Sequence, residues 1–458
     1  MTSRYPAGPK DFFFGITFAR RLRSEPLQFI TELGRTYGDI AYFRLGPIRA
    51  YVLNHPQLIR ELLVTKHKSF RRPAWLVRPL SKIDGQGLVL TEGELWQRQR
   101  RLVQPAFGSK RFEPYAHTIV EVTRRTVDHW AGHASLDIAD EMTRLTLELI
   151  SKILFDVDVS EETARLGEAV RVISQTYVRE AGNPLQLPDW LPLAAKRRKR
   201  WAIQTIDQMI RGIIARRRAS GEDHGDLLSM LLLAVDEEGD GRGMSDEQAR
   251  DEAVTLFNAG HDSTAAALAW IWYAVASHSG VEARLVEEID SVLTGRPATF
   301  GDVARLPYTE MVVKEALRLY PPTWALFPRE AIADVEIGDT TIRRGSWVYA
   351  FPYVTQRDPR FFEEPEKFDP ERFSPGRIDK IAPYAYFPFG GGPRVCVASS
   401  FAMMEMVLIV ATVLQAFRVK LASDQHEVEP EPLIAIRPKG GLRVTLSRRA
   451  ELAYVGKP

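Results

Sequence analysis

The chain has 458 residues, of which 45% are hydrophobic and 26% charged, the composition of a folded protein with a large core. Its 61 basic and 59 acidic side chains leave a formal charge of +2, so net charge gives no reason to expect nucleic-acid binding. The single cysteine excludes an internal disulfide and any metal site that needs several cysteines, such as an iron–sulfur cluster.

No composition shift or internal repeat marks a boundary, and we predict one domain over residues 1–458. The N-terminal segment has no apolar run of signal-peptide length. The longest apolar run, Ala265 to Ala276, is too short to span a bilayer. We therefore expect no transmembrane segment and a cytoplasmic location.

The predicted elements are mostly helical. A β-hairpin is indicated by Ile40–Leu45 and Ile48–Leu53, which flank Gly46 and Pro47. Breakers make the stretch from Phe70 to Thr91 irregular. A β-like pair, Leu433–Ile436 with Leu442–Leu446, is expected near the end. Helical patterns cover residues 26–37, 56–64, 94–103, 115–131, 140–155, 161–180, 196–218, 245–277, 308–320 and 397–417.

The lone cysteine, Cys396, stands behind three glycines and Pro393 and before a long apolar helical run. Glycines let a backbone pass close to a bulky group, and a helix N-terminus favours a thiolate over a thiol. The alternative interpretation is a buried, inert cysteine after a flexible turn. One thiolate suffices as an axial ligand of haem.

The spacing of four residues in this loop resembles the haem-binding signature of the cytochrome P450 family, Phe-x-x-Gly-x-Arg-x-Cys-x-Gly. Here it is carried by Phe389, Gly392, Arg394 and Cys396, with Ala398 where the family usually has Gly. The resemblance implies that Cys396 is the axial ligand of haem b, iron protoporphyrin IX.

The predicted helix over 245–277 is apolar nearly all round, yet its middle reads Ala259-Gly260-His261-Asp262-Ser263-Thr264. A mid-helix glycine and an acid in apolar surroundings are both unfavourable unless they have a role. One interpretation is an acid neutralised by an arginine, with a glycine for close packing. By resemblance to the family's central-helix motif, Gly260 instead opens space beside the haem, and Asp262, Ser263 and Thr264 relay protons.

Two further motifs match the family in order along the chain. Glu315 and Arg318 form Glu-x-x-Arg on the 308–320 helix, and Arg372 lies in Pro370-Glu371-Arg372-Phe373. The resemblance implies a buried charge network of these three side chains with a structural role. Alone, the Glu-x-x-Arg pair would more often be a surface ion pair of little energetic value.

Haem and substrate contacts are also implied by the resemblance. Trp96 and Arg100, four apart on one helix face, and Arg329 and Arg394 should meet haem propionates. The apolar pocket should be lined by Leu88, Val89, Ala259, Trp324, Ala325, Leu326 and Leu433.

Two segments around the expected pocket have more than one interpretation. The proline-rich segment from Asn183 to Pro192 is by resemblance the mobile lid over the substrate entrance, and otherwise a packed surface connection. The basic run from Lys196 to Arg200 is most simply a solvated helix face.

The fold class implied is mainly α with a smaller β region, the triangular, predominantly helical single domain of the cytochrome P450 fold. The β-richer parts would be about 38–55, 333–350 and 419–447, and the helical parts 94–320 and 397–417. The implied activity is a monooxygenase that inserts one atom of O2 into a C–H bond or double bond of a small lipophilic substrate. The substrate class stays open among fatty acids, terpenoids and steroids.

Electrons must come from a separate redox partner, because the chain has no second cysteine for an iron–sulfur cluster and no flavin or nicotinamide motif. We expect a ferredoxin or flavodoxin with an NAD(P)H-dependent reductase. A basic docking face is hypothesised from Arg98, Arg101, Lys110 and Arg111. Two alternatives are a peroxygenase of the same fold acting on fatty acids, and a non-catalytic haem-based gas sensor or carrier.

Overall fold

The computed structural model describes residues 5–10, 15–157, 188–425 and 428–449, together with positions 165, 167–169, 172–173, 175–176 and 180. Contacts divide the chain into two compact units. The first unit comprises residues 1–77 and 314–396, and the second unit residues 78–313 and 397–458. The division into two compact units does not test the prediction of a single domain, which stays a prediction.

The first unit is built around a five-stranded sheet, in which the strands lie in the order Ile40–Leu45 (β1), Ile48–Leu53 (β2), Trp347–Ala350 (β8), Arg329–Ala331 (β5) and Phe70–Arg71 (β3). The predicted hairpin is confirmed, with Ile40 opposite Leu53 and Leu45 opposite Ile48. β2 and β8 are parallel, and the other pairs are antiparallel. The strands of this unit are β1 Ile40–Leu45, β2 Ile48–Leu53, β3 Phe70–Arg71, β5 Arg329–Ala331, β6 Val335–Ile337, β7 Thr340–Ile342 and β8 Trp347–Ala350.

The apolar residues of this sheet pack against helices in two clusters. One cluster includes Tyr51, Leu53 and Val348, and another includes Phe29 and Phe43. The helices are α1 Ile16–Ser24, α2 Pro26–Tyr37, α3 Pro56–Arg60 and α14 Pro352–Thr355, with α4 Ala74–Asp84 and α13 Pro307–Leu319 running across the unit boundaries.

The second unit is mainly helical. Its helices are α5 Gly93–Val103, α6 Phe112–His129, α7 Ile138–Phe155, α8 Ala194–Ser220, α9 Leu227–Leu233, α10 Asp246–Ser277, α11 Ser279–Leu293, α12 Phe300–Val303 and α15 Ser399–Ala416. Two small sheets complete it. One has the order β4-β12-β9 and the other pairs β10 with β11. These strands are β4 Ser135–Asp137, β9 Phe417–Leu421, β10 Pro430–Pro432, β11 Ile436–Pro438 and β12 Arg443–Arg448.

The long helix α10 runs through the interior of the second unit, as its apolar composition predicted. Ser245 caps it, because the Ser245 hydroxyl accepts from the backbone N–H of Gln248 at 3.2 Å. The Gln248 side chain accepts instead from Arg98 at 2.9 Å. The buried indole of Trp270 donates to the carbonyl of Ile436 at 3.0 Å and so ties α10 to β11.

Two sequence-based expectations differ from the structure, and a third cannot be compared with it. Helix α4 forms inside the stretch predicted to be irregular, with Pro79 within it. The predicted β-pair near the C-terminus is wrong: β12 pairs with β9 and β4, and Ile436–Pro438 pairs with Pro430–Pro432. The predicted 161–180 helix and the lid residues 183–187 lie largely or wholly outside the described residues.

One helix, α15, is long and apolar enough to cross a membrane by length and composition. Two thirds of it (67%) is buried in the structure, which is the pattern of a core helix. No second such helix occurs in the part of the chain that the structure describes.

Candidate active site

The cysteine loop is ordered by its own backbone hydrogen bonds. The Gly390 amide donates to the carbonyl of Phe387 at 2.9 Å, and the Cys396 amide donates to the carbonyl of Phe389 at 3.0 Å. A short 3-10 turn over Gly392–Arg394 lies between them. Cys396 is exposed, so its sulfur is accessible for a ligand. This exposure contradicts the alternative of a buried cysteine.

Two of the loop's glycines are explained by contacts within the first unit. Gly392 has φ +67°, and a Cβ there would overlap the carbonyl of Leu63. A Cβ on Gly391 would overlap the ring of Tyr384. These glycines therefore let the loop pack on its own unit, whereas the sequence interpretation assigned all three to clearance for a bound group.

Glu315, Arg318 and Arg372 meet in the first unit as predicted. Arg318 donates to both Glu315 oxygens at 2.7 and 2.8 Å, and Arg372 reaches Glu315 Oε1 at 3.3 Å. Glu315 and Arg318 side chains are 0% exposed, which excludes the surface ion pair considered above. The remaining Arg318 donors reach the carbonyls of Gln356, Pro365 and Lys367.

Sequence reasoning missed Gln356, which connects this network to the chain leading into the cysteine loop. Its Nε2 donates to the carbonyls of Leu317 and Arg318, both at 3.0 Å, and its Oε1 accepts from the Phe387 amide at 2.8 Å. Gln356 is fully buried. The network thereby fixes Phe387, whose carbonyl accepts the hydrogen bond from the Gly390 amide at the start of the cysteine loop.

Arg329 and Arg394 both lie in the first unit and are half-buried. Arg329 begins β5 and pairs with Val348 of β8. Arg394 ends the turn that precedes Cys396 by two residues. Arg329 is thus part of a strand and Arg394 part of a 3-10 turn. A guanidinium group is well suited to bind a carboxylate.

In the second unit, Asp262 of α10 forms an ion pair with Arg437 of β11. Arg437 was missed, although it is the only charged residue in the apolar stretch from Leu433 to Pro438. The sequence had left open an acid neutralised by an unidentified arginine, and Arg437 is such an arginine. Next to it, burial lowers the pKa of the His261 imidazole, with the Asp262 carboxylate acting in the opposite direction.

The other residues of the central α10 motif differ from one another in burial and in contacts. The Ser263 hydroxyl donates to the Ala259 carbonyl at 2.8 Å and is half-buried, whereas Thr264 is buried. A Cβ on Gly260 would lie 2.9 Å from Ile150 Cδ1, so close packing against α7 accounts for one side of this glycine. Ala259 is exposed within a helix whose neighbouring turns are buried.

Trp96 and Arg100 lie on α5, and both are half-buried. Trp96 packs against the apolar cluster of the second unit, which includes Leu102 and Val103. Arg100 donates from Nε to Gln104 at 3.3 Å. Their role toward propionates stays a prediction.

The proposed docking cations Arg98 and Arg101 are already neutralised, which contradicts that part of the docking hypothesis. Arg101 makes a bidentate contact with Asp236, at 2.8 Å for both bonds. Arg98 lies 3.4 Å from Asp240 and donates to the Gly243 carbonyl at 2.9 Å. The acids that pair with these arginines, Asp236 and Asp240, lie in a loop 135 or more positions away in the sequence, so the sequence pattern did not reveal the ion pairs.

The basic run after the lid segment is also not a simple solvated face. Lys199 is 1% exposed and pairs with Glu180 at 2.6 Å. Lys196 pairs with both Glu180 and Asp189, and Lys82 of α4 reaches Asp189 at 2.8 Å. The described end of the lid segment is therefore held by ion pairs.

The predicted pocket residues are divided between the units. Leu88, Val89, Ala259 and Leu433 belong to the second unit, and Trp324, Ala325 and Leu326 to the first. Leu88 is buried, and Val89 and Leu433 are half-buried. Trp324 and Ala325 pack against the cluster around Phe29, and Leu326 against the cluster around Tyr51.

The residues present fit a haem with one thiolate ligand. The exposed thiol of Cys396 sits on an ordered loop, and Arg329 and Arg394 of the same unit provide cations for carboxylate groups. Within the described ranges, no group of three or more His, Cys, Asp or Glu side chains offers another metal site. Haem is the cofactor that a single thiolate can ligate.

Comparisons with known proteins agree with this geometry. Residues 6–444 match the family model described as Cytochrome P450. Cyclooctatin synthase from Streptomyces melanosporofaciens is 36% identical over 92% of this chain and 89% of its own length. Cyclooctat-9-en-7-ol 5-monooxygenase from the same organism is 35% identical over 86% of this chain and 85% of its own. The crystal structure of the haem domain of cytochrome P450DA has a TM-score of 0.89, 26% identity and 99% coverage of both chains.

The fold and the family match define a haem-thiolate oxidoreductase, mainly α with a smaller β region. The chain belongs to the cytochrome P450 family. Relatives over most of its length are named as oxygenases and monooxygenases, and the chain is an oxidoreductase of the monooxygenase class.

Proposed function

We propose that the chain oxygenates a small cyclic terpenoid, by hydroxylation or at a double bond, with haem b held by the thiolate of Cys396. The observation that carries the proposal is the exposed thiol on the ordered loop of a chain that matches the family over residues 6–444. When bound, the haem supplies the activation of dioxygen. The protein supplies binding, orientation and protons.

Four residues are proposed to contact the haem propionates, and two to deliver protons. Arg329 and Arg394, with Trp96 and Arg100, would hold the propionates, because charged and indole donors on rigid elements suit carboxylates. Asp262 and Ser263 would deliver protons. The Ser263 hydroxyl, held by the Ala259 carbonyl at 2.8 Å, keeps its oxygen as an acceptor on the accessible side of α10.

The substrate class is supported by the apolar residues expected in the pocket and by a relative whose name describes oxidation of a cyclic alkenol. A ferredoxin or flavodoxin with an NAD(P)H-dependent reductase would supply the electrons in the cytoplasm. The peroxygenase alternative is not favoured, because Asp262 and Ser263 provide a polar pair for proton delivery. The sensor alternative is not favoured, because the relatives are named as enzymes.

A spectral titration of the ferric haem protein tests the substrate class. Cyclic terpenoids, fatty acids and steroids are added separately, and a saturable low- to high-spin shift is expected with the terpenoids. Saturation with fatty acids alone would contradict the proposal. Cys396→Ser is the control for the ligand, and an unchanged thiolate-type spectrum in that variant would refute the assignment of Cys396.

A further inference from the structure

A polar pair lies among the apolar residues expected to line the pocket in the second unit. Asn258 of α10 donates from Nδ2 to Asp84 Oδ1 at 2.7 Å. Asn258 directly precedes Ala259, and Asp84 ends α4, four residues before Leu88. Among the described residues, the second oxygen of Asp84 accepts no hydrogen bond.

The loop that follows Asp84 is fixed to α10 by three side chains. Arg250 donates to the Ile83 carbonyl at 3.0 Å, and Asp251 accepts from the Gln86 amide at 2.7 Å. Glu252 accepts from the Leu88 amide at 3.0 Å. The position of Asp84 is therefore set from both sides.

Glycine is required at the first position of this loop. Gly85 has φ +57°, and a Cβ there would overlap the Asp251 carboxylate. The loop and the helix thus approach more closely than any side chain would allow. This close approach brings the Asp84 carboxylate beside Asn258.

Asp84 is a partly buried carboxylate. Its side chain is only half-buried, yet burial raises its pKa to about 6, with Asn258 and Arg250 acting in the opposite direction. Asp84 thus combines partial exposure with a carboxylate oxygen that accepts no hydrogen bond from the described residues. Such a group gains more from a further hydrogen-bond donor than a hydrated surface carboxylate does.

We propose that Asp84, oriented by Asn258, is a hydroxyl-binding subsite of the substrate pocket, so that the preferred substrates are terpenoids that already carry an alcohol. The inference rests on the proposed terpenoid monooxygenase function. Apolar neighbours Leu88, Val89 and Ala259 would contact the carbon skeleton, while the Asp84 carboxylate accepts a hydrogen bond from the substrate hydroxyl. The substrate must then come from a reaction that has already placed a hydroxyl group on the skeleton.

The test compares terpene alcohols with hydrocarbons of the same skeleton. Menthol and p-menthane, cedrol and cedrane, and abietadienol and abietadiene are titrated into the haem-loaded protein by spin-state shift and by calorimetry. The measured quantity is the ratio of the two dissociation constants within each pair. Asp84→Ala removes the carboxylate, Asn258→Ala removes only its orienting donor, and Asp128→Asn, at an exposed acid, is the control.

We expect the alcohol preference of at least one pair to fall about tenfold in Asp84→Ala and to be unchanged in Asp128→Asn. A smaller fall is expected in Asn258→Ala, which leaves the carboxylate but removes its orienting donor. If Asp84→Ala yields no haem protein, the fall in Asn258→Ala decides. Equal ratios in wild type and both variants would refute the subsite and leave the terpenoid function standing, whereas no binding of any pair to wild type would refute both.

Discussion

Arg437 of β11 pairs with Asp262 at the middle of α10, so the acid expected to deliver protons is held by a cation from a distant part of the chain. The Asp262 and Arg437 side chains are 15% and 29% exposed, respectively. The pair is partly accessible, and the hairpin that carries Arg437 also includes Leu433, an expected pocket residue. The partner of Asp262 and an expected pocket residue therefore belong to the same hairpin of β10 and β11.

Replacing Arg437 should uncouple oxygen reduction from product formation. In Arg437→Gln, Asp262 loses the group that orients it, and we expect product per NADPH to fall several-fold while peroxide rises. Arg437→Lys, which keeps the charge, should lose less. Lys439→Gln, an exposed residue next to the same strand, should behave as wild type, and equal coupling in Arg437→Gln would exclude the positioning role.

The hydroxyl at position 263 should also control coupling. Ser263→Ala removes both its donor and its acceptor capacity, and we expect a higher peroxide-to-product ratio at similar substrate affinity. Ser263→Thr should retain wild-type coupling. An unchanged ratio of product to NADPH in Ser263→Ala would transfer the relay to Thr264 or to water.

The Glu315 network should be required for a haem-loaded fold. Glu315→Ala leaves Arg318 buried without its carboxylate, at a cost of about 3–5 kcal/mol, and we expect little haem-loaded protein. Haem content per polypeptide and thermal unfolding measure the effect. Glu363→Ala, at an exposed carboxylate in the same unit, is the control, and normal haem content in Glu315→Ala would contradict a structural role.

Glu252 should make the protein less stable as the pH rises. Burial raises the pKa of Glu252 to about 8, while the usual value is 4.5. Between these values the folded state holds a proton that the unfolded state has released, so stability is full below about pH 4.5 and declines toward pH 8. The expected slope is about 1.4 kcal/mol per pH unit for one proton.

Glu252→Gln should remove this decline, because glutamine stays neutral and can still accept from the Leu88 amide. The free energy of unfolding of the variant and wild type is compared from pH 5 to pH 9 by urea titration. Burial raises the pKa of Glu405 to about 8 as well, and its contribution is common to both proteins. Parallel curves for the two proteins would show that Glu252 does not carry the proton.

How far the sequence predicts this molecule depends on the range of each interaction. The hairpin at Gly46, the helix started by Ser245 and the Glu315–Arg318 pair follow from neighbours a few positions apart. Other interactions join residues that are distant in the sequence, and the periodicity of hydrophobic residues contains no information about them. They are the strand pairing of Arg443–Arg448, the Arg437–Asp262 ion pair and the Arg101–Asp236 ion pair. Helix α4 was missed because Arg71-Arg72-Pro73 and Gly85-Gln86-Gly87 look like breakers, whereas the helix from Ala74 to Asp84 fits between them.

The most direct test of the central claim is the source of the inserted oxygen atom. The haem protein is combined with a ferredoxin, its NADPH-dependent reductase and a terpenoid that gives a spin shift, and product is analysed after reaction under 18O2 and, separately, in H218O. The account predicts one labelled atom per product molecule from 18O2, none from water, and no product with Cys396→Ser. Label from water, or product formed with peroxide but not with O2 and reductase, would contradict it.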